Sequence, residues 1–75
     1  MIENALKLHH AQNRADEVLA AAGFTSEEIE KYRKEMPTHV NGIPLPNLIY
    51  IINELYVFKH PRLNRLIGII EEIPA

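Results

Sequence analysis

Between Leu48 and Phe58 nine of eleven residues are apolar, and only Asn53 and Glu54 interrupt. A second apolar block follows, with Leu63, Leu66, Ile67, Ile69, Ile70 and Ile73 set off from the first by Lys59-His60-Pro61. A segment that is apolar nearly all round has to be covered on more than one side. A chain of 75 residues buries only about 60% of its unfolded surface and has little else to cover it with. The surplus therefore points to a partner, either a second copy or another protein. Tyr50, Tyr56 and Phe58 are the natural anchors of such an interface, and Ile69 and Ile73 extend it.

The conformation of these two blocks decides the fold class. Ile, Tyr, Val and Phe favour strands, and Leu48–Phe58 paired with Arg65–Ile73 would make an α+β protein with a C-terminal hairpin. Helices are preferred. Eleven residues is long for a strand, and Asn47, Tyr50, Asn53 and Glu54 cluster on one helical side. Leu63, Leu66, Ile67, Ile70 and Ile73 keep a three-four rhythm without strict alternation. Helices are expected over 47–59 and 62–73, with Pro61 opening the second. Gly68 falls inside that last helix, where Gly is worse than Ala by about 1 kcal/mol, which suggests a close helix crossing.

The N-terminal half reads more plainly. Ile2, Ala5, Leu8, Ala11, Ala15, Val18, Leu19 and Ala22 recur at helical spacing, and six alanines favour a helix over 2–22. Gly23 suits the left-handed position after it. Thr25-Ser26-Glu27-Glu28 fits a capping box, with Phe24 and Ile29 placed as a hydrophobic staple. That helix is expected over 26–36, stopping before Pro37. Residues 37–47 carry three prolines and an Asn41-Gly42 turn signal flanked by Val40 and Ile43. A tight turn or a tiny hairpin is plausible there, although Pro44 and Pro46 argue against a long strand. The expectation is an all-α protein: one domain over 1–75, folded as a compact bundle of about four helices.

Charge and composition narrow the function. There is no cysteine, hence no disulfide and no thiolate metal site, which fits a reducing cytoplasm. Met1-Ile2-Glu3-Asn4 lacks the layout of a signal peptide. Uninterrupted apolar runs such as Leu48–Ile52 reach five residues, against the roughly 20 of a membrane span. A cytoplasmic protein without membrane contact is expected, of a kind typical of bacteria and their phages. The net charge of −2 argues against a strongly electrostatic nucleic-acid binder. Two local surfaces still have the right residue types. One is the cluster Lys59, His60, Arg62 and Arg65, a candidate contact for an anion or nucleic acid. The other is the polar side of the first helix, with Lys7, His10, Asn13, Arg14 and Glu17, where Glu3, Asp16 and Glu17 would repel phosphate.

No catalytic or metal signature is present. His9 and His10 point about 100° apart on a helix, and no further ligand stands at the right spacing unless Glu3 bends in. The glycines are scattered, so no phosphate loop forms, and Ser26 has no assembled triad. Neither a cofactor nor a metal is expected, and the chain is read as a non-enzyme. The function expected is a small protein–protein interaction module, acting as inhibitor, adaptor or regulator and forming a homodimer through its apolar C-terminal half. The alternative is a helix-turn-helix-like DNA-binding regulator.

Overall fold

The structure, a computed structural model, describes residues 5–74. Five helices and one hairpin follow in the order α1 (Ala5–Asn13), α2 (Ala15–Ala21), α3 (Ser26–Glu35), β1 (Pro37–Val40), β2 (Ile43–Pro46), α4 (Leu48–Val57) and α5 (Arg62–Glu71). The all-α four-helix bundle expected from the sequence is thereby corrected to an α+β fold. The class is that of the alternative, but the hairpin lies at 37–46, and the C-terminal half is helical.

The prolines of 37–46 fit the short hairpin that forms there. Asn41 and Gly42 take φ of 53° and 80°, the pair of positive values that a two-residue hairpin turn needs. The register pairs Val40 with Ile43, Thr38 with Leu45, His39 with Pro44 and Pro37 with Pro46. The Asn47 N–H donates to the Met36 carbonyl at 2.8 Å just beyond the strands. Antiparallel ladders alternate bonded and non-bonded pairs. Counting back from that bond, Pro37, Pro44 and Pro46 all fall at non-bonded positions, where a missing N–H costs no ladder bond. A two-stranded ribbon thus accommodates three prolines.

The expected helix over 2–22 is two helices. Residues 2–4 of that span, including Ile2 and Glu3, lie outside the described residues. Arg14 leaves helical geometry (φ −125°, ψ 34°) and its N–H turns back to Ala11 O at 3.0 Å. The break falls between two anchors: Gln12 bonds the start of α4, and Asp16 pairs with Arg33 of α3 at 2.6 Å.

Local start and stop signals behave as the residues dictate. After α2, Gly23 (φ 95°) sends its N–H to Ala20 O and Phe24 sends its own to Leu19 O, a Schellman end. Thr25 and Glu28 form the full capping box on α3, with bonds of 3.0 and 3.1 Å. α4 ends in the same Schellman pattern as α2, with the Lys59 N–H on Tyr56 O and the His60 N–H on Leu55 O. Lys59 occupies the left-handed position there at φ 52°.

The core is one cluster. Ala11, Ala15, Val18, Leu19 and Ala22 meet Phe24, Ile29, Leu48, Ile51, Leu55, Leu66 and Ile70. Among the described residues no polar or charged side chain is buried. α5 packs against α1, α2 and α4, and β2 lies against α1, α2 and α3. Gly68 does not mark the helix crossing suggested by its place in α5: a Cβ built there meets nothing within 4 Å. Gly68→Ala is therefore expected to stabilise the chain by about 1 kcal/mol, read as a higher urea midpoint at unchanged slope.

Candidate functional site

α4 is apolar on both sides, and the described residues cover only one. Leu48, Ile51 and Leu55 point into the core. Ile49, Tyr50, Asn53, Tyr56 and Val57 occupy the opposite side and are exposed, and Phe58 follows at the helix end. The apolar members are 60 to 75% exposed. A contiguous apolar patch of this kind is often a functional surface that meets a partner. Ile49 borders a hollow with Ala5, Leu8, His9 and Gln12 of α1. Tyr50 and Asn53 border another with Glu35, Met36, Pro37 and Glu54. The face thus sits as a ridge between two shallow depressions.

Of the interface residues expected from the sequence, Tyr50, Tyr56 and Phe58 stand together on this ridge. Ile69 and Ile73 do not join them: both are half-buried and pack against the core, with Ile73 just past the end of α5. Ile49 and Val57 were missed. Their grouping was readable, since Ile49, Tyr50, Tyr56 and Val57 flank Asn53 at three and four residues, but that this side faces away from the core was not.

The start of α4 is closed by side chains. Asn47 Oδ1 accepts the N–H groups of Ile49 and Tyr50 at 3.1 and 3.4 Å. The remaining early donor, the Leu48 N–H, goes to Gln12 Oε1 at 2.8 Å, while Gln12 Nε2 donates to Pro46 O at 2.8 Å. One amide therefore fixes where α4 leaves the hairpin, and the helix end has no donor left for an anion. Gln12→Met keeps the bulk and removes both bonds. It is expected to destabilise the chain by about 1–2 kcal/mol, measured by urea unfolding, and an unchanged midpoint would show that water replaces the clamp at no penalty.

Two members of the basic cluster, Arg62 and His60, make contacts within the chain. The Arg62 Nη1 donates to both Glu28 carboxylate oxygens at 3.0 Å and the guanidinium lies 4.9 Å from the centre of the Phe24 ring. His60 Nδ1 accepts the Arg62 N–H at 3.1 Å, acting as a cap on α5. Lys59 and Arg65 remain exposed, with Arg65 reaching over Gly23. The Thr25 backbone N–H, and after it Arg62, hold the Glu28 carboxyl below its ordinary value. Glu28 thus serves the cap of α3 and the anchor of α5 at once. Arg33 binds Asp16 and Glu30 in the same manner, tying α3 to α2, and Lys7 Nζ donates to Glu71 O at 2.6 Å.

The first-helix polar residues His10, Asn13, Arg14 and Glu17 spread across α1, the break and α2. The His9 and His10 rings stand edge to face, 6.1 Å apart. Among the described residues no group of three or more His, Asp or Glu is placed to hold a metal ion, and no helix is long and apolar enough to cross a membrane. Glu3 lies outside them. Compared with known proteins, the chain matches no family model, no curated protein and no solved structure.

Proposed function

We propose that this protein is a small cytoplasmic interaction module, an inhibitor, adaptor or regulator, that works by docking through the outer face of α4 and that associates with itself there. The observation that carries this is the set of five large apolar side chains, Ile49, Tyr50, Tyr56, Val57 and Phe58, exposed on one helix and its end. Tyr is over-represented among residues that dominate binding energy, because it combines a large rigid area with a polar tip. The helix-turn-helix alternative draws no support from the basic cluster, whose Arg62 and His60 are engaged within the chain. The cytoplasmic placement rests on the absence of cysteine.

The deciding experiment is light scattering over a concentration series, with circular dichroism on the same samples. A mass rising from 8.6 kDa to twice that value, with an unchanged helical spectrum, supports self-association of the folded chain. A mass that stays at one chain throughout rejects it.

A further inference from the structure

We infer that two copies pair through α4 in antiparallel orientation, with Asn53 on the two-fold axis. The inference rests on the self-association proposed above and adds its orientation and register. It starts from the spacing of the exposed residues. Tyr50 and Tyr56 stand three residues to either side of Asn53, and Ile49 and Val57 stand four. All five are exposed on the side of α4 opposite its buried Leu48, Ile51 and Leu55. The pattern reads the same from both ends of the helix. A surface of that kind is self-complementary, which is what a two-fold homodimer requires.

At about 1.5 Å of rise per residue, antiparallel pairing about Asn53 sets Ile49 and Tyr50 at the height of Val57 and Tyr56 of the second copy. Each half of the contact becomes one layer of four apolar side chains. Between the layers the two Asn53 amides face each other, and each can donate to and accept from the other. A single polar residue in an otherwise apolar seam fixes register at some loss of affinity. The orientation also separates charge. Antiparallel pairing holds the two Lys59 residues about 18 Å apart along the axis, whereas a parallel pair would bring them side by side, and it opposes the two helix dipoles.

The area agrees with a reversible dimer. With about 150–250 Å² for each aromatic side chain and somewhat less for Ile and Val, the exposed part of this face amounts to about 500 Å² per copy. Two copies bury about 1,000 Å², below the roughly 1,200 Å² of stable specific interfaces and in the range of weak, reversible ones. Concentration-dependent association is therefore expected.

The absence of cysteine makes single-cysteine variants clean reporters, and all three positions used are exposed. Under mild oxidation Asn53→Cys should form a covalent dimer. Ile49→Cys alone should not, since its two copies lie about 12 Å apart along the axis, beyond the roughly 7 Å Cα separation a disulfide spans. An equimolar mixture of Ile49→Cys and Val57→Cys should give the mixed dimer. The expected contrast is about tenfold or more in cross-linked product between Asn53→Cys and Ile49→Cys. Self-linking of Ile49→Cys as fast as Asn53→Cys would show a parallel pair and overturn the inference. So would a wild-type dimer in which neither Asn53→Cys nor the mixture links. A wild-type chain that stays at 8.6 kDa overturns the self-association itself, and light scattering separates that failure from the other two.

Discussion

Tyr56→Asp is expected to leave the chain folded and to abolish its self-association. Tyr56 is 62% exposed and stands outside the cluster of buried residues and the apolar side chains packed on it. Removing the ring therefore takes little support from the fold. In a two-fold contact the same change enters twice, so two aromatic anchors are lost and two carboxylates are placed where water is excluded. Truncating one anchor commonly costs 2 kcal/mol or more, and an unpaired charge at a buried interface adds to that. Affinity should fall by at least about a hundredfold. Light scattering reads the mass and a thermal melt followed by circular dichroism reads the fold. A mutant with undiminished dimer mass would move the interface elsewhere, and one that loses its helical bands would place Tyr56 in the fold itself.

The fold was legible where a local rule decides. Gly23 after α2, the Thr25–Glu28 box and the Asn41-Gly42 turn are each specified by neighbours in sequence, and each forms as those neighbours require. What stayed hidden depends on distant residues. The break at Arg14 has neither Pro nor Gly to announce it. It lies between Gln12, bound to Pro46 and Leu48 more than thirty positions on, and Asp16, bound to Arg33. A tiny hairpin over 37–47 is plausible from Asn41-Gly42, but Pro44 and Pro46 argue against a long strand, and the fold class turns instead on the helices of the C-terminal half. Only the register shows that the prolines sit where the ladder asks nothing of them.

The candidate site was legible by residue type and not by direction. Tyr50, Tyr56 and Phe58 stand out in the sequence as aromatics, and they are exposed. Ile69 and Ile73 come from a block whose apolar residues outnumber its polar ones, and they pack half-buried against the core. Amphipathic patterning tells inside from outside only when the outside is polar. On α4 both sides are apolar, so tertiary packing alone selects Leu48, Ile51 and Leu55 as the inner set. The contacts of the basic cluster were hidden for a related reason. Arg62 meets Glu28, which lies 34 positions away and also closes the cap of α3.

The sharpest separation of the two sides of α4 comes from two isoleucines two positions apart. Ile51 is fully buried among the largest core side chains, so Ile51→Ala removes three carbon atoms from a packed interior and leaves a cavity. Such truncations cost about 2–5 kcal/mol. A domain of this size has a total stability of roughly 4–11 kcal/mol, so the variant should lose a large share of it and be partly unfolded near physiological temperature. Ile49→Ala, on the outer face, should change unfolding by no more than about 0.5 kcal/mol while weakening association. Urea unfolding, done at a concentration where the chain is monomeric, compares the two without the dimer's contribution. Equal losses from both variants would mean that α4 is covered on both sides within one chain, and the docking face would then have to be sought elsewhere. A large loss from Ile51→Ala alone, together with weaker association of Ile49→Ala, would assign one side of a single helix to folding and the other to recognition.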